Sequence, residues 1–165
     1  MAELVYWDSD CFLGWLLSEP DKRDFCAEVI QEAEDGKLTI VTSALTLAEV
    51  LAIRYQPKIP STKKELVERF FKNDWIAVRP LTRRVSEKAR ELVWDHGIAP
   101  KDACHVASAL SESVGQLHTF DRDLIGKSEK VGGDPLLRIV KPQVKQPRLQ
   151  FGAKERNDDQ GKAAE

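Results

Sequence analysis

Four acidic residues lie far apart along the chain, but their positions relative to the predicted strands and helices can bring their carboxylates together. Asp8 directly follows the first apolar run, and Asp121 follows the fourth. Glu49 lies in a helical pattern entered from the second run, and Asp102 lies in the first turn of a helix that Pro100 begins. Open parallel sheets bind ligands beyond the carboxyl ends of their strands. The spacing therefore predicts a cluster of these four residues, called the site acids below.

Carboxylates gathered in this way suit hard divalent cations. Mg²⁺ and Mn²⁺ take carboxylate and water oxygens, whereas zinc favours the Cys and His ligands that this set lacks. Without a cation the clustered anions repel one another, and some of them hold protons. A bound cation can lower the pKa of a water and neutralise charge on a phosphate under in-line attack. The site acids therefore predict metal-assisted phosphodiester hydrolysis.

Each site acid also has a local structural explanation. Asp8 and Asp121 can be helix N-caps, because their oxygens can accept hydrogen bonds from the first backbone N–H groups of a helix. Thr46 and Glu49 have the spacing of a capping box, and Asp102 can complement the dipole of its helix. Capping acids are far commoner than catalytic ones, so only the conjunction of the four favours chemistry.

The apolar periodicity predicts a scaffold that can position the site acids. Short apolar runs predict five strands, at residues 4–7, 38–41, 75–78, 116–120 and 136–140. Helical spacing predicts six helices, at residues 10–17, 21–35, 44–55, 62–71, 82–96 and 100–114. Strands that alternate with helices are typical of an α/β fold with a mainly parallel sheet, since parallel neighbours need crossover connections.

Composition sets the broad class of the chain. Its 165 residues, 42% hydrophobic and 32% charged, predict one domain over residues 1–141. Residues 142–165 are mostly polar and predict a disordered tail. We expect a cytoplasmic protein without membrane association, because the chain lacks a secretory signal and a long apolar run. Its three cysteines form no CxxC pair and indicate neither a disulfide framework nor a thiolate zinc site.

Four segments resemble the PIN-domain family, which includes the VapC-type toxins of toxin–antitoxin pairs. Residues 5–9, VYWDS, are similar to the opening strand and Asp-Thr/Ser of the family, and residues 42–50, TSALTLAEV, to its second acidic motif. Residues 102–107, DACHVA, resemble its Asp-Ala-x-His-x-Ala, and residues 117–124, LHTFDRDL, its closing Thr-x-Asp segment. The match covers most of residues 4–140, with the four segments in the order of the family.

The resemblance implies a three-layer α/β/α sandwich that binds Mg²⁺ or Mn²⁺ and cuts single-stranded RNA. All four site acids become candidates for catalysis and metal binding, with Asp8 and Asp102 the first candidates as metal ligands. Glu49 would bind metal or orient the attacking water, and Asp121 would hold a second ion or act through a metal-bound water. A cognate antitoxin and a second copy of the chain are the protein partners expected of such a toxin. The net charge of −2 does not favour RNA binding, but a cation at the site acids would reverse the local field.

Two further acids leave alternatives open. Asp10 stands two residues after Asp8, where the family commonly has a small or amide residue, so it either enters the pocket or only begins a helix. Asp123 stands two residues after Asp121, and either can be the inward-facing acid. The Thr-x-Asp pattern favours Asp121.

Neighbouring polar and aromatic residues complete the candidate site. Ser9, Ser43 and Thr119 are accessory candidates, because hydroxyl groups can bind the acids or a phosphate as well as cap helices. His105 lies three residues after Asp102 on nearly the same helix face and is interpreted as a structural histidine. Trp94 is interpreted as a core residue.

Two rival functions remain at this stage. Asp8-Ser9-Asp10 after an apolar strand is also similar to the DxD nucleophile motif of haloacid-dehalogenase-like phosphatases, in which Asp8 would form an aspartyl-phosphate. Against this, the chain lacks a late GDxxxD acid pair. The second rival is a catalytically silent PIN-like subunit that only binds a partner, which the intact set of acids disfavours.

Overall fold

The computed structural model of the protein describes residues 1–50 and 59–144. The five strands are β1 (Glu3–Trp7), β2 (Leu38–Ser43), β3 (Ile76–Arg79), β4 (Gln116–His118) and β5 (Arg138–Val140). The seven helices that lie within the described ranges are α1 (Ser9–Leu16), α2 (Arg23–Glu34), α3 (Ala44–Glu49), α4 (Lys64–Phe71), α5 (Arg83–His96), α6 (Pro100–Ser111) and α7 (Arg122–Ile125). A 3₁₀ turn, Ser61–Lys63, precedes α4.

The strands form one sheet in the order β3-β2-β1-β4-β5, and every pair is parallel. Tyr6 of β1 lies opposite Val41 of β2 on one side and Leu117 of β4 on the other. The chain builds outward from β1 through β2 and β3, and then returns to pair β4 with the free side of β1. The strand order therefore reverses between β1 and β4, where α/β sheets form a ligand crevice at the carboxyl ends of their strands. The predicted α/β fold with a mainly parallel sheet is confirmed.

Two hydrophobic clusters cover the two faces of the sheet. Successive side chains of a strand point to opposite faces, so Tyr6 joins one cluster while Val5 and Trp7 join the other. The Tyr6 cluster packs against α5 and α6, and the Trp7 cluster packs against α1 and α2. The molecule thus has three layers, as expected. The interpretation of Trp94 as a core residue is wrong, because 73% of its surface is exposed on the outer side of α5.

Several helix ends follow directly from the sequence. Gly97 closes α5 with φ of 64°, a left-handed conformation that glycine adopts without strain, and its N–H donates to the carbonyl of Val93. Pro100 stands at the start of α6, where its missing N–H has no intrahelical partner to lose. These two residues separate α5 from α6 and fix where Asp102 enters the first turn of α6.

The largest departure from the predicted elements lies after β4. We expected a strand through residue 120, but β4 ends at His118. The Thr119 hydroxyl accepts a hydrogen bond from the Asp121 N–H at 3.1 Å, and Asp121 then caps α7, which the sequence did not predict. Four residues are too short to show helical periodicity. The turn nevertheless places Asp121 beside the crevice.

Two predictions reach residues outside the described ranges. The helix expected at residues 44–55 is observed as α3, which ends at Glu49, and residues 51–58 lie outside the described part of the chain. Of the predicted tail, Pro142 is buried and Val144 packs against the Trp7 cluster, so the chain stays on the domain through Val144. Residues 145–165 are not described, and their disorder stays a prediction. Within residues 1–50 and 59–144, no helix is long and apolar enough to cross a membrane.

Candidate functional site

The carboxyl edge of the sheet brings the site acids to one end of the molecule. Asp8 directly follows the central strand β1, caps α1 by accepting the Cys11 N–H at 3.2 Å, and is only 4% exposed. Glu49 is the last residue of α3, Asp102 lies in the first turn of α6, and Asp121 is the N-cap of α7. Three of these positions are partly accessible, so the cluster has an open side.

Asp102 lies within electrostatic reach of two other site acids. Burial is the largest cause that raises the pKa of Asp102, and the charge of Asp121 is the next. The charges of Asp10 and Glu49 raise it further, while His105 opposes them. Asp121, Glu49 and Asp10 therefore all lie near Asp102.

Asp8 is the most strongly perturbed carboxyl of the group. Its pKa rises from 3.8 to about 7, chiefly because burial penalises the charged form and then because Asp10 lies near it. The charge of His105, the Thr119 hydroxyl and the Cys11 N–H act in the opposite direction. Near neutral pH, Asp8 therefore binds a proton readily. A cation bound to Asp8 instead of that proton would likewise offset the cost of burying its negative charge.

Glu49 is held in the ionised form. Burial would raise its pKa, yet the net change is downward because His105 donates to it and Ser9 and Lys101 add smaller contributions. The His105 Nε2 atom lies 2.7 Å from Glu49 Oε2, and Lys101 Nζ lies 4.0 Å from Oε1. Asp8 and Glu49 thus differ sharply in how easily they bind a proton, a difference that active sites commonly use.

A series of buried hydrogen bonds leads from Ser43 through Tyr6 and His105 to Glu49. The His105 Nδ1 atom lies 2.8 Å from the Tyr6 hydroxyl, which accepts a hydrogen bond from the Ser43 N–H at 3.1 Å. Burial would lower the pKa of His105, but Glu49 and the nearby charge of Asp8 raise it overall. Our sequence interpretation of His105 as structural missed its contact with a site acid. The available signal was its position one turn after Asp102 on the same helix face.

The local structural explanations hold for some site acids and fail for Glu49. Asp8 caps α1, and Asp121 Oδ1 accepts the N–H groups of Asp123 and Leu124 at 2.8 and 3.1 Å. The proposed capping box of Thr46 and Glu49 is wrong, because α3 begins two residues before Thr46. Ser43 caps that helix through its hydroxyl at 3.2 Å from the Leu45 N–H, and the Thr46 hydroxyl instead contacts Thr42 at 2.7 Å. Glu49 therefore has no capping role that would explain its position.

The accessory candidates separate into two groups. The charge of Asp10 raises the pKa of both Asp8 and Asp102. The Ser9 hydroxyl hydrogen-bonds to Glu49, and the Thr119 hydroxyl hydrogen-bonds to Asp8. These three belong to the cluster. The Ser43 hydroxyl caps α3 and only its N–H joins the series of buried hydrogen bonds, whereas Asp123 is exposed. The charge of Asp121 raises the pKa of Asp102, and this proximity favours Asp121 over Asp123 as the fourth acid.

The donor set fits a hard cation better than a thiolate or imidazole metal. No three His, Cys, Asp or Glu side chains converge closely enough to hold one metal ion in the parts of the chain that the structure describes. Mg²⁺ usually needs only one or two carboxylates, since waters and substrate phosphates complete its octahedral shell. Asp8 and Asp102 stay the first candidates for these carboxylates, because burial, together with the charges of neighbouring acids, raises the pKa of both.

Solved structures of similar fold come from bacterial toxin systems. The chain is similar to VapC20 of Mycobacterium tuberculosis, a sarcin–ricin loop cleaving toxin, with a TM-score of 0.59, 14% identity, and coverage of 73% of this chain and 92% of that one. It is also similar to VapBC2 of Rickettsia felis bound to a DNA fragment from its promoter, with a TM-score of 0.57, 15% identity, and coverage of 82% and 96%. A toxin–antitoxin complex from Klebsiella pneumoniae gives a TM-score of 0.54, 16% identity, and coverage of 74% and 91%.

A search of curated protein sequences found no match. A comparison with protein families matches residues 5–130 to the PIN domain. This range contains every site acid, the whole of β2, β3 and β4 and most of β1, and it covers well over half of the chain. Together with the parallel sheet and the acids at its carboxyl edge, the match shows that the chain belongs to the PIN-domain family.

Proposed function

We propose that this protein is an endoribonuclease that hydrolyses phosphodiester bonds of single-stranded RNA with Mg²⁺ or Mn²⁺, and that it is the toxin of a toxin–antitoxin pair. One observation carries the proposal: the neighbouring acids at the strand-order reversal of a PIN-domain fold. The names of the similar structures support the toxin role and a cognate antitoxin partner. A homodimer and a cytoplasmic location stay predictions.

The residues have distinct roles in this proposal. Asp8 and Asp102 would hold the cation, which when bound would supply a water of lowered pKa and positive charge to offset the scissile phosphate. Glu49, ionised and anchored by His105, orients the attacking water or supplies a further ligand. Asp121 adds negative charge near Asp102 while one of its oxygens caps α7. Lys101 Nζ lies 4.0 Å from Glu49 Oε1, and this side chain can meet an RNA phosphate at the rim.

The test is RNA cleavage by metal-stripped protein to which single cations are returned. We expect cutting with Mg²⁺ or Mn²⁺ but not with Ca²⁺, whose looser coordination positions the water poorly. Products should carry 5′-phosphate and 3′-hydroxyl ends, because water and not the ribose 2′-hydroxyl is the nucleophile. Asp102→Asn should lower the cleavage rate by at least about 100-fold. Asp24→Asn is the matched control, since Asp24 also lies in the first turn of a helix but is exposed on α2.

Three outcomes would contradict the proposal in different ways. Cleavage in EDTA, or cyclic phosphate ends, would exclude the metal mechanism. A phosphoenzyme or beryllofluoride adduct on Asp8 would instead support the phosphatase alternative. Failure to cut any RNA, combined with tight binding of a protein partner, would make the chain a silent interaction subunit.

A further inference from the structure

Hydrogen bonds join the end of β2 to Glu49 through two buried side chains. The Ser43 N–H donates to the Tyr6 oxygen at 3.1 Å, the Tyr6 hydroxyl lies 2.8 Å from His105 Nδ1, and His105 Nε2 lies 2.7 Å from Glu49 Oε2. Tyr6 is fully buried, and His105 is 2% exposed. The contacts involve four elements, β1, β2, α3 and α6, and apart from β2 and α3, which are consecutive, these elements are far apart in sequence. Only the assembled fold therefore creates this chain of contacts.

The Glu49 carboxylate fixes one proton of the His105 ring. Its pKa is lowered and an ionised carboxylate can only accept, so the Nε2–H group of His105 faces it. In the neutral imidazole Nδ1 then carries no proton and can accept from the Tyr6 hydroxyl at 2.8 Å. The Tyr6 oxygen itself accepts from the Ser43 N–H, and the Ser108 and Thr42 hydroxyls also lie at hydrogen-bond distance from it.

A second buried histidine shows what a purely structural role looks like. His118 accepts the Trp7 Nε1–H at Nδ1, 3.0 Å away, and its Nε2 lies 3.0 Å from the Gln116 side-chain oxygen. Its pKa falls to about 3 through burial, with no carboxylate contributing. His118 and His105 thus have similar burial and the same pattern of bonds, but only His105 ends on a site acid.

We propose that His105 is a positioning residue, in its Nε2–H tautomer, that holds the Glu49 carboxylate in place for phosphodiester cleavage. Glu49 needs such an anchor because it is the last residue of α3, a helix of only six residues. A long, flexible side chain at the last residue of a short helix loses rotamer freedom only when something binds it. His105 supplies that constraint. This inference rests on the proposed function.

Three substitutions separate positioning from packing. His105→Leu removes the donor to Glu49, and His105→Gln restores an amide N–H near the former Nε2 position. Tyr6→Phe leaves the imidazole in place but removes the hydroxyl that contacts it, which is also the acceptor of the Ser43 N–H. We expect His105→Leu to lower kcat by about 10- to 100-fold with KM nearly unchanged, a range typical of residues that orient a metal-site ligand. Tyr6→Phe should lower kcat by about 3- to 10-fold, and His105→Gln should restore it to within about 5-fold of wild type.

His118→Gln is the matched control, because it is the same substitution at an equally buried histidine. It should reduce thermal stability while kcat per folded molecule stays at the wild-type level. Equal kcat in every folded variant, or an equal loss in His118→Gln, would overturn the positioning role. If His105→Leu does not fold, Tyr6→Phe carries the same test, since it deletes a single buried oxygen.

A measurement without RNA or metal distinguishes failure of this inference from failure of the proposed function. Ring ¹⁵N shifts of histidine-labelled, metal-free protein at about pH 9 report the neutral tautomer directly. We expect the Nε2–H form for His105, with an Nδ1 signal that moves in Tyr6→Phe and an Nε2 signal that moves in Glu49→Gln. An Nδ1–H form, or an even mixture, would overturn the inference even if the protein cuts RNA. The expected tautomer in a protein that cuts no RNA would uphold the anchor and reject only the ribonuclease.

Discussion

Asp8→Asn should stabilise the metal-free protein. The carboxyl of Asp8 is 4% exposed and its pKa is raised from 3.8 to about 7, so the folded state binds the Asp8 proton more tightly than the unfolded chain does. As the pH rises from about 4, the unfolded chain ionises first, and the folded protein loses stability until the pH passes about 7. Asn removes the charge and keeps an oxygen that can accept the Cys11 N–H.

The magnitude follows from the two pKa values. At pH 8 the cost of ionising buried Asp8 is about 4 kcal/mol, and at pH 5 it is about 1.5 kcal/mol. For a domain of this size, the larger figure corresponds to a thermal midpoint about 10 °C higher in Asp8→Asn at pH 8. The advantage of the variant should shrink steadily toward acid pH.

The assay is denaturant and thermal unfolding of EDTA-treated protein between about pH 4.5 and pH 8.5. Asp74→Asn, an exposed acid between α4 and β3, controls for the loss of one negative charge and should change little. A variant that is less stable than wild type at pH 8, or an advantage that does not change with pH, would refute the reasoning. Either result would mean that neighbouring groups already compensate the charge of Asp8.

Two further predictions concern Glu49 and the chain end. Glu49→Gln should keep the thermal midpoint within a few degrees, because the Gln side-chain oxygen can still accept from His105. The rate of RNA cleavage should nevertheless fall by at least about 100-fold. A variant that cuts RNA but is unstable would show that Glu49 does not belong to the site. Removing residues 145–165 should leave thermal unfolding almost unchanged, whereas removal from Pro142 should lower the midpoint because Pro142 is buried and Val144 packs on the Trp7 cluster. Equal losses in both truncations would show that residues beyond Val144 stabilise the domain.

The sequence predicted most of the fold because its strands are short apolar runs separated by clear helix signals. Gly97 and Pro100 marked the boundary between α5 and α6 correctly, since each residue has a backbone restriction that few positions satisfy. The predictions of structure failed where the hydrophobic periodicity of the sequence gives no information. A four-residue helix after β4 gives no repeat to recognise, and the apolar Trp94 is exposed although its type suggested burial.

The site was predictable as a set of acids but not as a set of roles. Four motifs in the expected order identified Asp8, Glu49, Asp102 and Asp121, whereas the capping-box spacing of Glu49 proved to be a coincidence of sequence. The contact between His105 and Glu49 joins residues 56 positions apart. The position of His105 one turn after Asp102 indicates that it lies near the acids, but no local pattern identifies Glu49 as its partner. Likewise, no sequence pattern distinguishes the raised pKa of Asp8 from the lowered pKa of Glu49, because burial and neighbours set both.

The strand order has a consequence for when the acid cluster can assemble during synthesis. Strand β1 is made first and can pair with β2 early, but its other side waits for β4, and the bond from Trp7 to His118 spans 111 residues. Pairing over such distances is slow, and domains complete folding only when their last strands are available. Asp102, His105 and Asp121 all follow the first three strands in the chain, so they leave the ribosome after β1, β2 and β3. A nascent chain therefore carries Asp8 and Glu49 without the rest of the cluster, and the full set of acids can assemble only when β4 pairs with β1.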